Sequence, residues 1–455
     1  MIVRDLQAPV PVLRALAAGQ PQRYPVLLDS AADGPLSRFS VLMAEPSGAL
    51  WSDAQGRLGA EAAPAAVAGC AGFLDALARW WEAEGRRGAG GPEPFQPGGW
   101  AVFLSYEIAA EIEPSLTLPP AAFPWRAFAL RIPCLLVHDR LSGKTRVIAE
   151  PAAADAIGRI EADVRAAARG VVSGGPLALS ELEEEPPEAY LERVRRAKEY
   201  IGAGDIYQTN LSRPWRARLA SECGIGELYA RLCAANPAPF AALAQWRGGA
   251  ILSSSPERLL RVAGCRIDTR PIAGTRPRSR RPGQDGSEMA ALSAHPKERA
   301  EHIMLIDLER NDLGRVCEPG TVRVDELMSV ESYTHVHHIV SNVSGVLRAD
   351  RTPIDALRAV FPGGTITGCP KVRCMQIIAE LEGEGRGAYT GSLGWLGLDG
   401  SLDLNILIRT LSLSAGVLEL RAGAGIVADS DPGRELEETR AKARGLLAAL
   451  DRSPS

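Results

Sequence analysis

Short apolar runs closed by glycine, proline or charge recur along the whole chain, and helical segments do not separate them one by one. Pro25–Leu28, Trp100–Leu104 and Ile132–Val137 are such runs near the beginning, each with the length and boundaries of a strand. A doubly wound parallel sheet needs a helix between successive strands, so a large mixed α+β fold is expected instead. Ala152–Ala168 carries a helical pattern, as does a segment that starts near Pro187 and runs to Ile201. Between them, Gly174-Gly-Pro176 and the acidic, proline-containing stretch Glu181–Glu188 read as a linker. The expected division is residues 1–175 as an N-terminal region and residues 185–452 as a second, larger domain.

The 455 residues are 46% apolar and 23% charged, an ordinary globular balance that excludes a disordered tail, a collagen-like chain and a short disulfide scaffold. A net charge of −4 leaves no basic field to hold nucleic acid. Arg4 and Asp5 interrupt the opening segment where a signal peptide needs an apolar core. The longest run of small apolar residues, Ala62–Leu74, stops at Asp75, short of the roughly 18–20 residues that span a bilayer. A soluble, unprocessed, cytoplasmic protein with no membrane partner is expected. The eight cysteines show no CxxC pair, which suits buried free thiols in a reducing compartment.

Several polar residues stand where a structural role alone explains them poorly. In the helical segment Lys297–Leu308, Glu301 shares a face with Met304, Leu305 and Leu308, one turn after Glu298. A carboxylate on an apolar stripe is costly unless a cation or donor compensates it; the bland alternative is an edge residue reaching solvent. Near the end of the chain, Asp431 can cap a helix with Pro432 in its first turn. Glu435, Glu438, Thr439 and Lys442 then form one polar face, either solvated or, with the first helix, able to hold a hard divalent ion such as Mg²⁺. Arg409 follows Leu402–Ile408, a strand pattern that places a carboxylate-binding guanidinium at a strand end. Gly423-Ala-Gly425 follows the strand-like Val417–Leu420 and reads as a rigid turn presenting N–H groups to an anion.

The loop Pro362–Lys371 resembles a phosphate-binding loop but has Cys369-Pro370 where lysine and a hydroxyl residue belong, so a nucleotide cradle is not expected. His335, His337 and His338 fall at strand spacing, with adjacent side chains on opposite faces. Metal binding, a structural role and a catalytic role for His338 all remain open at this point.

The order of these segments is more specific than any one of them. SPERLL (Ser255–Leu260), RPIAGTRPR (Arg270–Arg278), KERAEHIMLIDLERNDLGRV (Lys297–Val316) and HHIVSNVSG (His337–Gly345) resemble the chorismate-utilising enzymes. So do FPGGTITGCPK (Phe361–Lys371), YTGSLGW (Tyr389–Trp395), IRT (Ile408–Thr410), AGAGIVADS (Ala422–Ser430) and ELEETRAK (Glu435–Lys442). This family includes the large subunits of anthranilate synthase and aminodeoxychorismate synthase, and isochorismate and salicylate synthases. The resemblance is strong over about residues 185–450 and weaker in Leu27–Ser30 and Ser37–Phe39. It implies two large packed antiparallel sheets flanked by helices, with residues 185–452 as the chorismate-binding catalytic domain.

The resemblance also implies roles. Glu301 and Glu438 look like Mg²⁺ ligands, with Glu298 and Glu435 acting directly or through water, and the ion would hold the ring carboxylate. Arg409, Tyr389 and the backbone of Gly423, Ala424 and Gly425 look like the pocket for the enolpyruvyl carboxylate. Lys442, Thr365, Gly274 and Thr275 resemble further substrate contacts, and His338 the histidine beside the ring. Glu257 matches the acid that protonates the leaving C4 hydroxyl, a role suited to a carboxyl kept neutral by desolvation.

The nucleophile separates the branches. Water-using members resemble one another in a lysine near the start of the domain; here Gln208 stands in that place, as in the ammonia-using branch. Tyr207-Gln-Thr-Asn210 and Ser37-Arg-Phe39 resemble aminodeoxychorismate synthase, and anthranilate synthases usually carry an apolar residue at the place of Asn210. Against this, Ala273 occupies the position of a lysine that attacks C2 in the best-known aminodeoxychorismate synthases. Alanine is no nucleophile, so ammonia or water adds first at C2 and is displaced from there as ammonia bonds to C4, or ammonia at C2 is final and pyruvate loss gives anthranilate. The C4 route, leading to 4-aminobenzoate and folate, is the first expectation and anthranilate synthase the second. A regulatory protein that binds chorismate without turning it over is a remote third. Six histidines and no glycine-framed cysteine nucleophile give no glutaminase, so ammonia is expected from a separate glutamine amidotransferase subunit.

Overall fold

A computed structural model of the chain describes residues 1–34, 36–85, 95–170, 179, 182–219, 224–277, 296–332 and 336–450, with backbone alone at 273–277, 296–298 and 336–337. Among these residues ten α-helices surround two large sheets in which every strand pairing is antiparallel. In the first sheet the strands run in the order Ile2–Leu6, Lys144–Ala149, Cys134–Asp139, Phe39–Ala44, Val26–Asp29, Phe240–Trp246, Gly249–Ser255, Thr410–Ser414, Val417–Ile426, Gln208–Arg218 and Glu183–Glu184. The second places Ile272–Pro277 beside Val336–Val346, then Arg266–Thr269, Arg258–Ala263, Leu402–Asn405, Ser392–Gly397, Gly99–Leu104, Trp125–Ile132, Gly48–Asp53 and Leu58–Glu61. Both sheets draw strands from either side of the stretch 171–178.

Side chains alternate across a strand, and here both faces are covered. Val41 and Met43 pack between the sheets with Phe103, Phe128 and Leu393. Their neighbours Leu42 and Ala44 face the outer helices with Leu13, Ile160 and Leu446. On the far side, Val102 and Leu104 meet Trp80 and Leu357. Burial on both faces is why the strands read as continuous apolar runs.

Ile132–Val137 is not one strand. Trp125–Ile132 belongs to the second sheet and Cys134–Asp139 to the first, with Pro133 at the crossing. A proline has no N–H to give to a ladder, so the chain changes sheets there. The two expected helices form at Ala154–Arg169 and Pro187–Gly202. No helix among the described residues is long and apolar enough to cross a membrane. Of the described cysteines, all are free; Cys134, Cys233, Cys317 and Cys374 are buried, but Cys265 is exposed. Cys223 lies outside the described residues.

Candidate active site

The strand Gln208–Arg218 lies between Val417–Ile426 and the short strand Gly368–Cys369. Positions 208 and 210 share one face, and that face meets glycines. A Cβ added at Gly425 would fall 2.5 Å from Gln208 Nε2; one at Gly423 would fall 2.7 Å from Asn210 Oδ1 and 2.8 Å from the Tyr389 hydroxyl. Gly423-Ala-Gly425 is therefore not a turn, as its composition suggests, but part of the C-terminal half of a ten-residue strand, Val417–Ile426. Its glycines exist because polar side chains from the neighbouring elements occupy the space. Ala424 faces the other way and is fully buried among Tyr190, Leu211 and Ile378.

Gly423→Ala is accordingly expected to destabilise the fold by about 1–3 kcal/mol, because the Leu211 carbonyl, 2.7 Å from the added methyl, cannot move aside. Gly158→Ala, where the added carbon meets nothing within 4 Å, is the control. Equal urea midpoints for the two variants would remove the argument.

Gln208 Oε1 and Asn210 Oδ1 are both buried and accept no hydrogen bond from the described residues. Beside them, Lys442 Nζ donates to the Gly423 carbonyl at 3.0 Å and pairs with Glu438 at 2.7 Å. Tyr389 is buried, and burial pushes its hydroxyl up to about 12, so it remains a donor.

Glu257 is 4% exposed. Burial raises its carboxyl to about 8; the Thr365 hydroxyl and the Ile272 N–H pull it down, the charge of Glu309 adds to the rise, and Arg409 opposes it. The Ile272 N–H stands 3.5 Å from Glu257 Oε1. Thr365 Oγ1 stabilises the charged form, although it is buried and makes no hydrogen bond to the described residues. At neutral pH Glu257 thus carries a proton. Arg409 is lowered by the same burial and raised by Glu257. The strand before it ends at Asn405 rather than Ile408, and Arg409 itself adopts a left-handed φ of 51°. Thr390, next to Tyr389, has φ 61°. Non-glycine residues in this region carry strain that the surroundings must hold. Here both lie beside site side chains.

The two groups are tied by the loop 361–371. Thr365 faces Glu257, while two residues on the Thr367 carbonyl accepts the Asn210 N–H at 2.9 Å. Arg386 donates to the carbonyls of Asn210, at 2.7 Å, and Ile366, at 3.1 Å.

The last helix, Pro432–Leu450, starts as expected, with the Asp431 carboxylate accepting the Arg434 N–H. Its polar face is not uniformly solvated: Glu435 and Thr439 are buried, while Glu438 and Lys442 are about half exposed. Glu435 and Glu438 both act on the buried Tyr190 hydroxyl, which burial already raises. On the helix Pro296–Gly314, Glu301 is half-buried. The deepest face of that helix is a different one: His302, Leu305, Ile306, Glu309, Asp312 and Leu313. The buried carboxylates at 309 and 312 were overlooked in the sequence, although their spacing from Leu305 and Ile306 is helical.

His338 is 2% exposed on the strand Val336–Val346, in register with Thr275 and Glu331. The side chains of Ala273, Gly274, Thr275, Glu298 and His337 lie outside the described residues, as does His335. Among the described residues no three His, Cys, Asp or Glu side chains gather as a metal site does. The donor set of Glu301, Glu435 and Glu438 is all carboxylate, the chemistry that suits Mg²⁺.

Residues 42–448 match the chorismate binding enzyme family. Anthranilate synthase component 1 of Streptomyces coelicolor is 43% identical over 388 residues, 80% of this chain and 74% of that protein. Aminodeoxychorismate synthase component 1 of Bacillus subtilis is 45% identical over 268 residues, 58% of this chain and 56% of its own length. The chain spans a similar share, 54%, of an anthranilate synthase component I-like protein from Synechocystis. Among solved structures, anthranilate synthase component I from Streptococcus pneumoniae TIGR4 superposes with a TM-score of 0.79 at 30% identity, covering 91% of this chain and 93% of that one. That neighbour shares the two-sheet α+β architecture. A match that runs through both sheets and takes in Gln208, Glu257, Arg409 and Glu438 leaves one conclusion: the chain belongs to the chorismate binding enzyme family.

Proposed function

We infer that this chain is the large component of an aminodeoxychorismate synthase, exchanging the C4 hydroxyl of chorismate for an amino group. The observation that supports the reading is the pair of buried acceptors Gln208 Oε1 and Asn210 Oδ1 on one strand face, which take no hydrogen bond from the described residues. Two acceptors without donors suit ammonia, which brings three N–H groups. An apolar residue at 210, as in the anthranilate synthases, would remove the second acceptor from this face.

Glu257 supplies the proton the reaction needs. Hydroxide leaves poorly, so the carboxyl donates to the C4 oxygen as that C–O bond breaks, and water departs. A first ammonia or water bonds to C2 as that water leaves, and a further ammonia then bonds to C4 as the group on C2 departs with a proton; the proton shed by the new C4 ammonium restores the balance: chorismate plus ammonia gives aminodeoxychorismate plus water. Without a lysine at Ala273, no covalent link to the chain forms at that position. Arg409, the Tyr389 hydroxyl and Lys442 supply donors and positive charge for the substrate carboxylates. Mg²⁺, for which Glu301, Glu438, Glu298 and Glu435 are the proposed ligands, would add charge for the ring carboxylate. A glutamine amidotransferase subunit is the proposed ammonia source.

A second reading, anthranilate synthase, is favoured by Ala273 and by the name of the Streptomyces coelicolor relative. One assay separates them. The purified chain is given chorismate, Mg²⁺ and ammonium, and the products are read by mass spectrometry and fluorescence. A product of chorismate mass less one oxygen plus one NH, converted to 4-aminobenzoate by an added lyase, is expected; fluorescent anthranilate released directly overturns the C4 assignment. EDTA is expected to stop turnover and Mg²⁺ to restore it, and full activity in EDTA would remove the metal from the scheme.

A further inference from the structure

Behind Glu257 lies a second group of acids to which the reaction above assigns no part. Glu309 and Asp312 are 4% and 3% exposed on the helix Pro296–Gly314. Lys371, at the start of the helix Lys371–Glu382, pairs with Asp312 at 2.5 Å and donates to the Val360 carbonyl at 2.9 Å. Arg315 comes only within 4.0 Å of Asp312 and is itself mostly exposed. Glu309 Oε1 faces the Gly364 N–H at 3.4 Å, and its Oε2 is buried with no donor among the described residues. The backbone at Gly364 comes so close that an added Cβ would lie 3.2 Å from Glu309 Oε1. The next residue, Thr365, faces Glu257.

We propose that Glu309 is a positioning residue for the catalytic proton: set behind Gly364-Thr365, it governs through its charge whether Glu257 holds or releases that proton. This rests on Glu257 being the proton donor. Glu309 and Asp312 share Lys371, while Glu257 has Arg409, and like charges packed in a low-dielectric interior do not all ionise. The groups that act on Glu257 are Glu309 from the helix, Arg409 from the segment before Thr410, the Thr365 hydroxyl and the Ile272 N–H. Burial raises Glu309 to about 7 and the charge of Asp312, from its own helix, adds to the rise, while Lys371, Thr269 from the strand Arg266–Thr269 and the Gly364 N–H oppose it, so Glu309 ionises before Glu257. Lys371 favours the Asp312 and Glu309 charges, and Glu257, raised higher than Glu309, is left as the neutral member.

The sign of each substitution follows. Glu309→Gln removes a negative charge facing Glu257, so Glu257 gives up its proton at lower pH. Asp312→Asn leaves Lys371 to Glu309 alone, fixes the Glu309 charge, and makes Glu257 hold its proton to higher pH. A purely structural role does not move the two in opposite directions.

The test is an infrared titration of the protonated carboxyl C=O band of Glu257 in the full chain, identified by its loss in Glu257→Gln. A midpoint lowered by about one pH unit in Glu309→Gln, a tenfold change in proton affinity, and raised in Asp312→Asn is expected. An unmoved midpoint in both variants, each folded by circular dichroism, overturns the proposal. If Glu309→Gln does not fold, Asp312→Asn and Glu309→Asp, which draws the charge back from Gly364, decide it. Turnover by Glu257→Gln at the wild-type rate would instead overturn the donor role beneath the proposal, an outcome the infrared midpoint does not touch.

Discussion

Glu257→Gln is expected to lower kcat by about 10²–10⁴-fold while the KM for chorismate stays within a few-fold. Glutamine keeps the shape of glutamate and its place against the Ile272 N–H, but an amide does not give a proton to a leaving hydroxyl. The loss therefore falls on the bond-breaking step and not on binding. The wild-type pH profile carries the same argument. A carboxyl raised to about 8 is protonated below that value, so its contribution to the rate is full at neutral pH and falls as pH rises through 8. Dividing the variant's rates by the wild type's at each pH cancels the titration of ammonia. A kcat within tenfold of wild type would dismiss Glu257 as the acid.

The second large effect is on stability. Arg386→Ala is expected to cost about 3–5 kcal/mol, seen as a lower urea midpoint. Arg386 holds Glu382 through two bonds, at 2.7 and 3.0 Å, and Arg421 meets the same carboxylate at 3.2 Å. Ser212 gives it both its N–H, at 2.8 Å, and its hydroxyl, at 3.0 Å. The chain of charges goes on from Arg421 through Glu384 and Arg216 to Glu419. Truncating Arg386 leaves a buried carboxylate half-compensated and frees the Asn210 and Ile366 carbonyls that it clamps. Burial raises the Glu382 carboxyl, but the Arg386 and Arg421 charges outweigh it and bring it to about 2. A depressed carboxyl stabilises the fold above its ordinary value of 4.5 and loses that contribution as pH falls towards 2. Wild type and Arg386→Ala should therefore converge in stability in acid. A cost under 1 kcal/mol at neutral pH would show that the network is not what holds the strand Gln208–Arg218.

Why some of this was readable in the sequence and some was not has a physical basis. Glu257, Tyr389, Arg409 and Lys442 stand in ordered blocks with a recognisable family spacing, and the structure brings Tyr389 and Lys442 to Gly423 and Arg409 to Glu257. Gly423-Ala-Gly425 misled because glycine is read as a breaker, whereas here it yields space to Gln208, Asn210 and Tyr389. The run Ile132–Val137 misled because hydrophobicity does not say which of two sheets a strand joins; only Pro133 marked the change. Glu309 and Asp312 lie on the buried stripe, but a stripe that carries acids reads as polar, so Glu301 stands out in their place. Strand order was beyond local patterning altogether, since pairing across hundreds of residues leaves no periodic trace.

That last property bears on how the protein is made. Phe103 waits for Leu393 and Val26 for Ala244 to complete their ladders. At ribosomal speeds of roughly 5–20 residues per second, the first of those delays lasts about 15–60 s. For that time apolar strands near the beginning of the chain have one edge with no partner, the condition that favours aggregation. The sheets, and with them the site drawn from residues 208 to 442, are completed only when the final third of the chain emerges.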